Sequence, residues 1–422
     1  MERDRYLPRI VDSVLERRLH SSGAVLITGP KGCGKSTTAR MSASSSVMLH
    51  TAENDNTLYT ARTNPDIVLK GPVPRLIDEW QLAPQILDAV RNAVDERSDM
   101  GQFILTGSSV PTDGGCLHSG VGRITELRMH TMSLFESKDS SGAVSLRRLF
   151  DGTQSDVAER SSHDLKDILS LLVRGGWPRA INIDMEYAPD LVEGYYNATI
   201  GVDVFRVDGR KKDVGAVDRL MRSYARNIST MATTRGIVSD VNGSEGRTSQ
   251  STVEDYMDAL RRLFIIEDIP AWSMSVRSRA ALRTSPKRCL TDPSLATAAL
   301  GMTSDRLMGD LNTAGFIFEA MCARDLRVYS QALGGTVCHY RDASDLEVDL
   351  VIQLRDGRWG AVEVKVGGRG IHDGTENLLR LRDLAEDAGL PAPSFMMVLI
   401  SNGYVSRDDE GVWVVPVDCL GP

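Results

Sequence analysis

The chain is poor in cysteine. Its six cysteines stand apart at 33, 116, 289, 322, 338 and 419. There is no C-x-x-C pair and no Cys/His cluster at zinc-ligand spacing, which excludes a zinc framework and points to a reduced, cytoplasmic protein. Long apolar runs are also missing. No stretch approaches the roughly 18 residues of a membrane span, so no membrane partner is expected. The opening stretch, MERDRYLPRIVDSVLERRLH, is too charged for a secretory signal and reads as an amphipathic helix. Excess positive charge is absent as well. A net charge of −8 excludes a globally basic nucleic-acid binder but leaves room for a local basic patch. Long repeats and low-complexity tracts are lacking too.

What is present is a globular composition, 41% hydrophobic and 25% charged, over 422 residues. That length calls for roughly two to four domains.

AVLITGPKGCGKSTTAR (24–40) is a strand, a glycine-rich loop and a helix. Gly29, Pro30, Lys31, Gly32, Cys33, Gly34, Lys35 and Ser36 match G-x-x-x-x-G-K-[ST] at every fixed position. The glycines let backbone N–H groups curl around phosphate oxygens, and the helix N-terminus adds its dipole. Lys35 reaches the β- and γ-phosphates of ATP, Ser36 ligates Mg2+, and Thr37 continues the phosphate-binding turn. PRLIDEWQ (74–81) ends an apolar run in Asp78 and Glu79. Asp78 fits the magnesium shell and Glu79 the polarisation of the attacking water.

GQFILTGSS (101–109) is another buried strand with a polar end. Thr106 and Ser108 either sense the γ-phosphate or position water, or they simply open a Gly-Ser turn. Arg123 follows a glycine turn. It is either an arginine that completes a neighbouring subunit's site or an ordinary surface arginine. Strands at about 24–28, 46–50, 75–79, 102–106 and 123–129 alternate with helices. The pattern is a doubly wound parallel sheet with the nucleotide at the strands' carboxyl ends.

At this point the chain resembles a known family: bacterial AAA+-type P-loop ATPases with a C-terminal DUF4143 region. GPKGCGKS, PRLIDEWQ, FILTGSS and GRI (122–124) carry the resemblance, with MSLFES (132–137) and LLVRGGWPRA (171–180) after them. Lys31-Gly-Cys33 departs from the Arg-Gln pair of many members but leaves the phosphate-binding positions intact.

Residues 146–230 read as helices that either form a lid over the nucleotide or only pack. GRTSQSTVEDYMDALRRLFIIEDIPAW (246–272) places capping residues before a helix with Val253, Tyr256, Met257, Leu260 and Leu263 on one face. With a helix at 216–233, a polar turn at 240–250 and an apolar strand after, this is a winged-helix pattern. It serves either DNA or protein contacts, because the helix carries Glu254, Asp255 and Asp258 beside Arg261 and Arg262. SVRSRAALRTSPKR (275–288), basic and without acids, either touches phosphates or is a solvated loop.

Near the end, a helix bearing Glu319, a strand bearing Asp349 and a strand bearing Glu363-Val-Lys365 resemble the PD-(D/E)xK nuclease superfamily. Strand side chains alternate, so Glu363 and Lys365 share a face, as do Glu347 and Asp349. The carboxylates would hold a second Mg2+ or Mn2+, and the lysine would orient the nucleophile. The alternatives are a non-cleaving docking domain and a buried ion network.

The expectation is therefore a multidomain α/β chain. Residues 1–145 form a P-loop AAA+-like ATPase domain, 146–215 a helical lid, 216–300 a winged helix and 301–422 a nuclease-like domain. The expected function is ATP hydrolysis coupled to work on DNA (translocation, helicase unwinding or branch migration) by a ring-forming homo-oligomer such as a hexamer. The rivals are an ATP-regulated nuclease of a defence or mobile-element system and an NTP switch that binds a protein partner.

Overall fold

The computed structural model describes residues 6–50, 56–108, 122–207, 212–243, 248–274 and 284–422. It divides into two compact units. One comprises Met1–Thr131, Gly201–Lys212 and Asp258–Ile265, the other Met132–Ile200, Asp213–Met257 and Ile266–Pro422.

The first unit is built on five short strands: β1 (Ala24–Thr28), β2 (Ser45–Met48), β3 (Arg75–Asp78), β4 (Phe103–Gly107) and β5 (Ile124–Arg128). All pair in parallel, in the order β2-β3-β4-β1-β5. The inner strands β1, β3 and β4 are covered on both faces, which is why they read as apolar runs, whereas the edge strands β2 and β5 are part-exposed and mix polar residues in. Helix Gln85–Arg97 covers part of the sheet, and its Ile86, Val90 and Val94 join Phe103, Leu105 and Ile77 in one core. Because β4 pairs with both β1 and β3, Thr28 stands level with Gly107, and Thr106 level with Asp78. The polar strand ends therefore collect at the carboxyl edge of the sheet, where the glycine-rich loop leaves β1.

The second unit holds a six-stranded sheet in the order β11-β12-β10-β9-β8-β7. Strands β7 (Thr336–Arg341), β8 (Glu347–Gln353) and β9 (Trp359–Lys365) form an antiparallel meander. β10 (Phe395–Ile400) and β12 (Trp413–Pro416) continue it in parallel, and β11 (Ser406–Arg407) closes the edge. Helix Ile371–Asp387 lays Leu378, Leu381 and Ala385 on Val348, Val351, Ala361 and Val398. The long helix Leu311–Ala332 packs on β7, β8 and β9. A two-strand ladder pairs β6 (Val144–Ser145) with β13 (Leu420–Gly421), and Ser140 Oγ donates to the Leu420 carbonyl at 2.7 Å.

The middle of the chain differs from its sequence reading in two places. The expected helix at 216–233 is Val214–Arg226, and a separate helix, Thr234–Asn242, occupies the start of the expected turn. Thr233 caps that helix by accepting from the Gly236 N–H at 3.1 Å, while Ile237 and Val241 are buried. Helix Gln250–Arg262 follows as expected. After it, among the described residues before the next helix, there is no regular strand; the segment makes isolated bridges, Ile266 to Leu290 and Ile269 to Lys287 antiparallel and Ala271 to His339 parallel. Among the described residues no helix is long and apolar enough to cross a membrane.

Candidate nucleotide site and carboxylate cluster

The first site grows from the loop after β1. Gly29 has a φ of +152°, and a Cβ there would lie 2.2 Å from the Met129 carbonyl oxygen, so only glycine fits. The helix starts at Lys35 behind a left-handed Gly34. Lys35 is buried, and its ammonium donates to the Gly29 and Pro30 carbonyls at 2.9 Å each, folded back over the loop. Pro30 and Cys33 are buried beneath the loop, while Lys31, Gly32 and Thr37 face outward.

Ser36 Oγ donates to Asp78 Oδ1 at 2.6 Å, so the two oxygen groups assigned to magnesium meet across β1 and β3. A hydroxyl and a carboxylate in contact suit Mg2+, which takes few protein oxygens and keeps the rest of its shell for phosphate and water. Thr106 Oγ1 also donates to Asp78 and accepts from the Glu79 N–H at 3.3 Å. Thr106 thus positions the acid pair from the neighbouring strand.

Glu79 adopts a left-handed backbone, φ +59°, at the turn out of β3. Its carboxylate accepts from Gln81 Nε2 and, at 3.3 Å, from Ser108 Oγ. Arg123 lies just before β5, at the amino edge of the sheet, where its Nε donates to Asp95 at 2.8 Å. Within its own subunit it therefore sits at the edge opposite the phosphate loop.

Sequence reasoning missed four residues here. Gln81 holds Glu79. His50 Nδ1 lies 3.5 Å from Asp78 Oδ2. Arg9 is buried, and its guanidinium donates to the Cys33 and His130 carbonyls at 2.9 Å each, bracing the loop from below. Asp203 pairs with Lys31 at 3.2 Å. Only Gln81 lay inside a stretch already marked as functional; the other three meet the site through tertiary contacts that no local spacing announces.

The second site lies on the C-terminal sheet. Asp349 and Glu363 both lie near Lys365: its ammonium is 2.5 Å from Glu363 Oε2 and 3.9 Å from Asp349 Oδ2. Asp349 Oδ2 also accepts from the Val364 N–H at 2.9 Å. Glu319 arrives from the long helix. The unexpected member is Lys287. Its ammonium is 2.8 Å from Glu319, 3.0 Å from Glu347 and 3.2 Å from Asp349, and its side chain is 1% exposed. Arg341 adds a contact to Glu347 at 3.6 Å.

Charge shapes this cluster. Burial pushes the Glu319 carboxyl up to about 8, helped by Asp349 and opposed by Lys287. Burial, again with Asp349, brings Glu363 to about 8. Asp349 is held below the usual carboxylate range, because Lys287 and Lys365 outweigh its burial. For Lys287, burial works against the charge, but Asp349, Glu319 and Glu347 outweigh it and raise its pKa. Among the described residues no group of three or more His, Cys, Asp or Glu side chains is arranged to hold a metal ion.

Of the basic stretch 275–288, residues 275–283 lie outside the described residues. Lys287 and Arg288 at its end are corrected here: neither is free to touch phosphate. Lys287 is consumed by the cluster, and Arg288 is buried against Asp268 at 2.9 Å.

The motifs MSLFES and RGGWPRA form neither site. They meet in a buried knot of the second unit. The Met132 N–H donates to the Gly176 carbonyl at 2.7 Å, and the Gly176 N–H to Asp292 at 2.9 Å. Trp177 Nε1 donates to Ser294 at 3.0 Å, and the Leu134 N–H to Asp325 at 3.1 Å. Arg324 closes the knot on Asp325 at 2.7 Å and on Asp292 at 3.4 Å.

Comparison with known proteins finds three matched segments. Residues 21–138 match a family described as AAA domain, 165–306 a domain of unknown function, DUF8612, and 314–420 a domain of unknown function, DUF4143. Two uncharacterized proteins, of Mycobacterium bovis and Mycobacterium tuberculosis, are each 24% identical over 360 residues, covering 83% of this chain and 72% of theirs. Among solved structures, the Walker-type ATPase of Pyrococcus abyssi matches with a TM-score of 0.44 at 13% identity, over 71% of this chain and 97% of that one. AMPPCP-bound DnaA from Aquifex aeolicus matches at 0.26 and 12%, over 59% and 86%. The phosphate loop facing its acid pair lies within the first matched segment and the carboxylate-bearing sheet within the last, so the chain joins an AAA-type P-loop ATPase domain to a C-terminal DUF4143 domain.

Proposed function

We propose that the protein hydrolyses ATP at the loop 29–36 and couples turnover to work on DNA as a ring-forming oligomer. The observation that carries the reading is the meeting of Ser36, Asp78 and Thr106 at one sheet edge, with Glu79 beside them. When nucleotide binds, the Lys35 ammonium exchanges the Gly29 and Pro30 carbonyls for the β- and γ-phosphates. Ser36 and Asp78 would hold Mg2+, which neutralises charge on the phosphates. Glu79, released from Gln81 and Ser108, accepts the proton of the attacking water. Support for DNA is architectural: three helices followed by bridged segments at 266–269 and 287–290, and a sheet on which Asp349 and Glu363 both lie near Lys365, the residues whose sequence pattern resembles a nuclease motif.

A second reading, an NTP switch that binds a protein partner, draws on helix Gln250–Arg262. Its outward residues include Glu254, Asp255 and Asp258, and Arg261 is tied to Asp258 at 2.8 Å. Such a face repels a phosphate backbone.

The test is ATP turnover by the purified full-length protein with single-stranded, duplex and four-way-junction DNA, followed by unwinding and junction-migration assays. Turnover stimulated by one of these DNAs, with strand movement, supports the motor. Turnover indifferent to all of them, with no strand movement, sinks it and leaves the switch.

A further inference from the structure

The carboxylates on the C-terminal sheet already have a cation. The Lys287 ammonium has three N–H donors and three carboxylate neighbours, Glu319, Glu347 and Asp349, at 2.8, 3.0 and 3.2 Å. Its donor capacity is filled. Nor is it a loose side chain that happens to reach inward. Its backbone exchanges both hydrogen bonds with Ile269, at 2.9 and 3.0 Å. The next residue, Arg288, is anchored on Asp268, on the Ala232 carbonyl at 2.8 Å and on Thr234. Withdrawing Lys287 would break this pairing and take the ammonium away from the three acids it contacts.

We infer that Lys287 is the resident cation of this cluster, so the DUF4143 domain takes no divalent metal between Asp349 and Glu319 and cuts no phosphodiester bond there.

A divalent ion needs oxygens at about 2.0–2.6 Å. The Asp349 oxygens are both engaged, Oδ1 by Lys287 and Oδ2 by the Val364 N–H. A metal at Asp349 would face the Lys287 ammonium at close range in a buried setting, where like charges repel far more strongly than in water. The cations are already in place: Lys287 on Glu319, Glu347 and Asp349, Lys365 on Asp349 and Glu363, and Arg341 on Glu347. The nuclease-like arrangement thus works as an ionic staple that pins the 287–290 segment to β8 and the long helix. The inference stands apart from the ATPase reading, because it concerns residues of the second unit alone.

The experiment uses full-length protein without nucleotide. Mn2+ binding is measured by electron paramagnetic resonance for wild type and Asp349→Asn, alongside plasmid nicking in Mg2+ and Mn2+. The expected result is the same Mn2+ binding in both proteins and no nicking. Binding or nicking that Asp349→Asn abolishes overturns the inference. In the second arm, Lys287→Met removes the ammonium and keeps the side-chain length. This variant should gain at least about tenfold in Mn2+ affinity, since one opposing charge at this range exceeds that threshold once partly desolvated. Mn2+ should also raise its unfolding midpoint, chelator should reverse the rise, and adding Asp349→Asn should abolish it. A folded Lys287→Met that gains no Mn2+ response overturns the inference. If Lys287→Met does not fold, the wild-type comparison still decides, because it requires no change at Lys287.

Discussion

At the scale of single residues, what the sequence made legible was the chemistry that local spacing dictates. Lys35, Ser36, Asp78 and Glu79 sit in motifs whose spacing is set by the phosphate chain, and the structure brings them to one edge. Two substitutions separate their roles. Lys35→Ala should abolish tight ATP binding, because the loop loses its phosphate cation. Glu79→Gln should bind ATP normally yet lose turnover by about 10²–10⁴-fold, the usual worth of a positioned base. Nucleotide binding by fluorescence and phosphate release would check both, and wild-type turnover in Glu79→Gln would remove Glu79 as the base. Lys287 was illegible for the opposite reason. It lies 62 residues before Asp349 and ends a basic run that looks solvated. His339 belongs to the same hidden class. It is fully buried, its Nε2 lies 3.2 Å from the Ser285 carbonyl, and burial, reinforced by Lys287 and Arg341 and opposed by Glu347, lowers its pKa from 6.5 to about 4. Between those values the unfolded chain takes up a proton that the folded chain refuses. Its contribution is therefore present above pH 6.5 and lost as pH falls towards 4. His339→Gln should flatten the fall in unfolding midpoint over that window. An identical pH profile in the variant would show that His339 is not the group responsible.

At the scale of elements, β1, β3 and β4 of the first unit were readable because buried parallel strands are apolar runs, while the edge strands β2 and β5 were read from their place in the alternation with helices. Helix Thr234–Asn242 was not, since its glycine and β-branched residues are weak helix formers and only the burial of Ile237 and Val241 recruits it. The RGGWPRA motif teaches a different lesson. Its pattern stands out in the sequence, but the sequence cannot say whether it serves chemistry or packing. The structure places it in the knot around Asp292 and Arg324. A Cβ on Gly176 would lie 2.0 Å from the Met132 carbonyl oxygen, a backbone atom that cannot swing aside. Gly176→Ala should therefore destabilise the second unit by about 2–4 kcal/mol, the range of severe overpacking and lost buried hydrogen bonds. Denaturant unfolding would measure it, and a loss under about 0.5 kcal/mol, the level of a neutral surface change, would show that the knot yields.

At the scale of the whole molecule, the arginine needed for transition-state charge poses the remaining structural problem. Arg123 sits at the amino edge of β5 and pairs with Asp95, whereas the phosphate loop leaves the carboxyl edge of β1. In this structure the length of β5 separates it from the phosphate loop of its own chain. If it acts in hydrolysis, it acts on a neighbouring subunit, and each site is completed by another copy. Arg128, at the carboxyl end of the same strand, lies on the edge where the phosphate loop sits, stacked 4.0 Å over the Phe264 ring. These positions give different kinetics. With Arg123 as the bridging residue, turnover per subunit should rise with protein concentration. Arg123→Ala should bind ATP with unchanged affinity and lose about 10³-fold or more in turnover. Mixing it with Lys35→Ala, whose own site is empty but whose Arg123 is intact, should restore part of the activity, because one subunit would lend its arginine to the other's nucleotide. Turnover independent of concentration, or a mixture no more active than its parts, would show that Arg123 is a surface residue paired with Asp95 and nothing more.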